Sequence, residues 1–121
     1  MIFGVGCDII KVARIASLID KVGNKFLNRI YTKAEIDTGF KLPTERRYNF
    51  FAKRFAAKEA VSKALGLGIG EKISFLDIEI TNDANGKPLA NLEPAYLKHY
   101  KIHLSLADEA GLAIAYAVAE G

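Results

Sequence analysis

Phe50-Phe51-Ala52-Lys53-Arg54-Phe55-Ala56-Ala57-Lys58-Glu59-Ala60-Val61-Ser62-Lys63-Ala64-Leu65-Gly66-Leu67-Gly68 is the stretch whose reading decides the fold. It consists mostly of strong helix formers, holds no Pro or Gly before Gly66, and meets that glycine where a helix C-terminus is expected. Phe51, Phe55, Ala56, Ala60 and Ala64, with Phe50, Val61 and Leu65, recur at helical spacing, so a broad apolar surface must be buried. Glu59 and Lys63 stand four apart on one face, with Phe55 one turn before them. Two readings are open for this acid and base. One is a solvated i,i+4 ion pair, worth a few tenths of a kcal/mol; the other is a chemical pair held partly out of water.

Upstream, Leu42-Pro43-Thr44 breaks the chain and offers Thr44 as the cap of this long helix. Thr32-Lys33-Ala34-Glu35 matches a capping box and predicts a short helix to about Gly39. Val12 to Val22 carries a helical pattern stopped by Gly23, with Arg14, Lys21 and Lys25 near one stripe of that helix and its extension. Such a stripe is either a solvated face or a docking surface. Ile2 to Cys7 reads as a short strand, where Gly4 and Gly6 admit another backbone or a ligand. Asp8 falls at its end, as a cap or as a ligand to something positive.

Downstream, Gly66, Gly68 and Gly70 form a flexible exit whose N–H groups could meet a phosphate. A helix C-terminus disfavours anions, so such a contact needs Lys63 or another cation. Ile73 to Thr81 predicts a strand, with Phe75, Ile78 and Ile80 inward, and Lys87 to Leu92 returns antiparallel after the turn at 82–86. Pro94 opens a short helix to about Tyr100. Two strands follow, Ile102 to Leu106 and Leu112 to Ala119, and the second alternates large residues with alanines, allowing a helix or another subunit close approach. The order β-α-α-α-β-β-α-β-β predicts an α+β fold: one domain, 1–121, with an antiparallel sheet packed on the long central helix.

The chain has 121 residues, half of them apolar and about a quarter charged, as in soluble globular proteins. No apolar run approaches the ~20 residues of a membrane span, and no basic leader precedes a hydrophobic segment. One Cys, Cys7, permits no internal disulfide and suits a reducing cytoplasm; with two His it offers no zinc site. The net charge of +3 is too small to argue for DNA binding, but the basic residues concentrate between Lys11 and Lys63. An anionic partner is expected there.

Arg54-Phe55-Ala56-Ala57-Lys58-Glu59-Ala60 with Lys63-Ala64-Leu65-Gly66-Leu67-Gly68 resembles the signature of the 4′-phosphopantetheinyl transferases of the short bacterial type. Gly4-Val5-Gly6-Cys7-Asp8-Ile9-Ile10, then Ala13-Arg14-Ile15, is similar to the family's first block, and His103-Leu104-Ser105-Leu106-Ala107-Asp108 to its last. Asn85-Gly86-Lys87-Pro88 lies between, so the likeness spans nearly the whole chain. It implies transfer of the 4′-phosphopantetheine arm of coenzyme A to a serine of acyl carrier protein. It also implies Mg²⁺ between Asp8 and Glu59, with Asp8, Glu59 and Lys63 as the catalytic group. For the base Glu59 is the first choice, and a water relay is equally open because a carboxylate bound to Mg²⁺ is a poor base. Coenzyme A contacts are implied for Lys63, Gly66, Arg54, His103 and Ser105. Carrier contacts are implied for Arg14, with Lys21 and Lys25 adding steering toward an acidic partner. The resemblance further implies a homotrimer with active sites between subunits. Two departures stand out: Leu67 replaces a frequent threonine, and Asp108 occupies a position that is often His and receives no role.

Two other classes compete. A basic module for RNA or an acidic protein would explain the charge but not Glu59 on an apolar helix, and the strands carry few aromatics for bases to stack on. A kinase-like enzyme would need a Gly-x-x-x-x-Gly-Lys-Ser/Thr loop, which is missing. Neither nucleic acid nor membrane is expected as a partner.

Overall fold

A computed structural model describes residues 1–121. Strand β1 runs Ile2–Lys11 and leads into helix α1, Val12–Val22. Gly23, at φ +71°, breaks the helix, and α2 follows over Asn24–Ile30. This second helix was not expected: a single glycine interrupts the pattern without ending it, and Phe26, Leu27 and Ile30 are buried beyond the break. Lys25 therefore lies on α2, not on an extension of α1. Helix α3, Lys33–Phe40, starts with the expected capping box: Glu35 N–H donates to Thr32 Oγ1, and Thr32 N–H to Glu35 Oε1.

The central helix α4 covers Thr44–Ala64 and ends as expected, with Gly66 at φ +75°. Pro43, not Thr44, holds the N-cap position, and no side chain caps the helix. The expected strand from Ile73 opens instead with a 3-10 turn at Phe75–Asp77, held by reciprocal Ser74 and Asp77 bonds, so β2 begins only at Ile78 and runs to Asn82. It pairs antiparallel with β3, Pro88–Leu92, as a two-stranded hairpin. The helix expected after Pro94 shrinks to a 3-10 turn, Ala95–Leu97. Strands β4, Lys101–Glu109, and β5, Leu112–Glu120, are longer than expected because the turn needs only Ala110 and Gly111, both at positive φ.

The larger sheet has the order β1-β5-β4, all antiparallel. Helix α4 lies across its inner face. Ala113, Ala115, Ala117 and Ala119 of β5 are wholly buried there. On β1 the approach is closer still: a Cβ added to Gly4 would stand 2.2 Å from the carbonyl oxygen of Ala64, and one on Gly6 2.1 Å from that of Ala60. Only glycine fits, because the obstacle is helix backbone rather than a movable side chain.

The opposite face of this sheet is uncovered in the chain. Phe3, Val5, Ile9, Ile114 and Tyr116 are all exposed on it. Strand alternation also puts His103 and Ser105 there, since His103 pairs with Val118 and Ser105 with Tyr116.

Candidate active site

Asp8 does not end its strand. It lies inside β1, opposite Ala115, on the face turned toward α4. A carboxylate is tolerated at this position because α4 supplies a cation: Lys63 Nζ stands 3.3 Å from Asp8 Oδ1 and donates to the Cys7 carbonyl at 3.1 Å. Lys63 thus reaches across to the sheet; no ion pair with Glu59 forms, and the simple i,i+4 bridge is not what these residues make. With the lysine half exposed, the pair contributes little to stability.

Glu59 is half-buried one turn before Lys63. Its carboxyl is pushed above the ordinary glutamate value, first by burial and then by the negative charge of Asp8; Lys63 and Arg14 pull it partly back. Asp8, Glu59, Lys63 and Arg14 therefore share one electrostatic neighbourhood at the junction of β1, α1 and α4. The backbone contact at Gly4 and Gly6 brings the two acids together, because it sets α4 directly on the strand that carries Asp8.

This donor set suits a hard divalent cation. Glu59 resists ionising beside Asp8, so a positive ion between them would relieve that repulsion. No third His, Cys, Asp or Glu gathers beside the pair. Mg²⁺ commonly takes one or two protein carboxylates and completes its shell with water and substrate oxygens.

The other expected residues lie elsewhere. Arg54 is buried, its guanidinium 4.1 Å above the Phe50 ring and bonded to Asn82 of β2. Its Nε lacks a partner. It borders a groove of about 420 Å³ lined also by Arg46, Asn49, Lys53 and Asp108. Asp108, to which the sequence assigned no role, accepts from Asn49 at 2.8 Å and pairs with Lys53 at 3.0 Å. Gly66 sits in the exposed turn that closes α4. Lys21 and Lys25 are exposed on α1 and α2. His103 and Ser105 border a shallow cavity of about 200 Å³ on the outer face of the sheet, across from Asp8 and Glu59. Within one chain they do not meet the carboxylates.

Glu120 was missed in the sequence. His103 Nε2 lies 2.9 Å from Glu120 Oε1, across neighbouring strands. The signal was the alternation of Ile114, Tyr116, Val118 and Glu120, which become one face once the β4–β5 register is known.

Comparison with known proteins agrees with this architecture from end to end. The model of the 4′-phosphopantetheinyl transferase superfamily matches residues 4–117. A holo-[acyl-carrier-protein] synthase of Wolbachia pipientis from Culex pipiens is 48% identical over 120 residues, covering 98% of this chain and 97% of that protein. One from Bacillus cytotoxicus is 47% identical over 120 residues, covering 99% and 97%. Among solved structures, a Bacillus anthracis holo-(acyl-carrier-protein) synthase in complex with CoA (3′,5′-ADP) superposes with a TM-score of 0.89 at 43% identity, covering 100% of this chain and 98% of that one. The Helicobacter pylori holo-[acyl-carrier-protein] synthase in complex with coenzyme A gives 0.86 at 34% identity, covering 96% and 99%. Fold, motif order and sequence identity over almost the full length lead to one assignment: the chain belongs to the 4′-phosphopantetheinyl transferase superfamily.

Proposed function

We propose that this chain transfers the 4′-phosphopantetheine arm of coenzyme A to a serine of apo acyl carrier protein and releases adenosine 3′,5′-bisphosphate. The observation that carries the reading is the Asp8, Glu59 and Lys63 cluster, on a fold shared over its full length with a relative crystallised with CoA (3′,5′-ADP). The whole of 1–121 acts as one transferase domain.

The serine oxygen attacks the phosphorus that carries the pantetheine arm, and the bond from that phosphorus to the bridging diphosphate oxygen breaks. The nucleotide keeps the bridging oxygen and its charge. Asp8 and Glu59 would hold Mg²⁺, which when bound supplies positive charge to the diphosphate. Glu59 takes the serine proton directly, or orients the water that takes it. Lys63, tethered by Asp8 and the Cys7 carbonyl, presents a point charge to a phosphate beside the turn at Gly66. Arg54, His103 and Ser105 contact coenzyme A, and Arg14, Lys21 and Lys25 receive the acidic carrier.

His103 and Ser105 lie on the sheet face opposite Glu59, and that face is apolar and uncovered. A homotrimer in which each outer face meets the carboxylate side of a neighbour joins the two halves of the site. No helix of the chain is long and apolar enough to cross a membrane. Exposed, unpaired Cys7 is compatible with a cytoplasmic enzyme.

The test is to incubate the protein with apo acyl carrier protein, coenzyme A and Mg²⁺ and weigh the carrier by mass spectrometry. A gain of one phosphopantetheine unit, abolished by chelator and by Glu59→Gln, is expected. A folded protein that binds coenzyme A but leaves the carrier unchanged would require a different acceptor.

A further inference from the structure

We infer that Glu120 is a positioning residue for His103, fixing which nitrogen of the imidazole is left to meet the bound nucleotide. The inference rests on the reading above that His103 contacts coenzyme A.

The two side chains come from adjacent strands and point to the same side of the sheet. Lys101 is opposite Glu120 and His103 opposite Val118, so the pair is diagonal across the β4–β5 ladder. Their separation of 2.9 Å is hydrogen-bond distance. An ionised carboxylate can only accept, so the ring nitrogen facing it, Nε2, must carry the proton. The hydrogen bond from His103 is the largest influence on the Glu120 carboxyl and holds it below the ordinary glutamate value; the Met1 amino group and Lys101 act in the same direction. Glu120 is therefore an acceptor at neutral pH.

The consequence falls on the other ring nitrogen. A neutral imidazole bound through Nε2–H keeps its Nδ1 lone pair for a hydroxyl donor. An imidazolium so bound offers Nδ1–H to a phosphate oxygen. In both states the ligand meets Nδ1, and the ring cannot rotate to exchange the two nitrogens without breaking the bond to Glu120. The strand end that carries Glu120 is itself held, since Gly121 N–H donates to the Met1 carbonyl at 3.0 Å. Ser105 and the shallow cavity it shares with His103 lie beside the ring, on the same face.

The experiment combines side-chain ¹⁵N NMR with steady-state kinetics on the full chain, for wild type and for Glu120→Ala, Glu120→Gln and His103→Ala. His99, the other histidine, stacks on Tyr100 and serves as the internal reference. In wild type the neutral His103 ring should show a locked Nε2–H tautomer. Glu120→Ala should release it to a mixture and raise the KM for coenzyme A about tenfold, with kcat changing much less. Glu120→Gln keeps an acceptor oxygen and should recover most of the KM. A KM raised by His103→Ala but untouched by Glu120→Ala overturns the role of Glu120. A KM unchanged in both overturns it through the His103 reading instead, and a mixed tautomer in wild type refutes the lock itself.

Discussion

Gly6 shows how a missing side chain can organise a site. The carbonyl of Ala60 occupies the place a Cβ would take, so Gly6→Ala must push α4 off β1. The change should cost about 3 kcal/mol, the upper end of ordinary overpacking, because the obstacle is backbone. A urea melt would measure it, and a loss below about 0.5 kcal/mol would mean that the helix gives way easily. Glu59 offers a second test. Burial first, and Asp8 second, raise its pKa, so the fold favours the protonated carboxyl. That contribution is complete below the ordinary glutamate value and is lost as pH rises through the raised one. Glu59→Gln should therefore melt at a higher temperature than wild type at neutral pH without metal, and the gap should close toward about pH 4. Added Mg²⁺ should raise the wild-type melting temperature and leave the variant nearly unchanged. A variant less stable than wild type at neutral pH would contradict the argument.

Between the elements, the strongest polar tie is Lys58 of α4. It is wholly buried and donates to the Ile30 carbonyl at 2.7 Å, to Glu35 at 2.7 Å and to the Phe75 carbonyl at 3.1 Å. Glu35 also accepts from Ile80 N–H at 2.8 Å, so one ion pair joins α2, α3, α4 and β2. Burial pulls the Lys58 pKa down, and the charge of Glu35 opposes it. Lys58→Met should cost roughly 3–5 kcal/mol by leaving Glu35 buried and unpaired, and adding Glu35→Leu should recover part of that loss, as denaturant melts would show. Lys58 looks in the sequence like any charge on a helix, and nothing local reveals that it points inward. Helix α4, the capping box at Thr32 and the alternation of β5 were legible because helix ends and sheet faces follow local rules. Helix α2 and the 3-10 turn at Phe75 were not, since one glycine and one reciprocal Ser–Asp cap outweighed the pattern around them. Asp8 and Glu59 were nameable through a resemblance, but their meeting depends on a helix lying across a strand far from it in sequence. The partnership of His103 with Glu120 needed the strand register.

For the whole molecule, the distribution of residues over two faces of one sheet leads to a mixing experiment. If each site takes Glu59 from one protomer and His103 from the next, Glu59→Gln and His103→Ala chains should complement each other. Equal amounts, dissociated and reassembled together, should regain about a quarter of wild-type activity, the fraction of neighbour pairs that hold both native residues in randomly mixed rings. A mixture no better than the average of its parts would confine each site to a single chain.

The seam of glycines and alanines where α4 meets the sheet also bears on how the enzyme responds to heat. Gly4, Gly6, Ala60, Ala64, Ala113, Ala115 and Ala117 have no side-chain rotamers to order on folding and none to populate on warming. Alignment of the two carboxylates therefore depends on this backbone contact and the Lys63–Asp8 pair, not on a set of packed apolar side chains that could loosen one at a time. The backbone amides of β5, those of β1 that bond to it, and those of the second half of α4 should be the last to exchange with solvent, and the catalytic geometry should persist unchanged until the fold is lost as a unit.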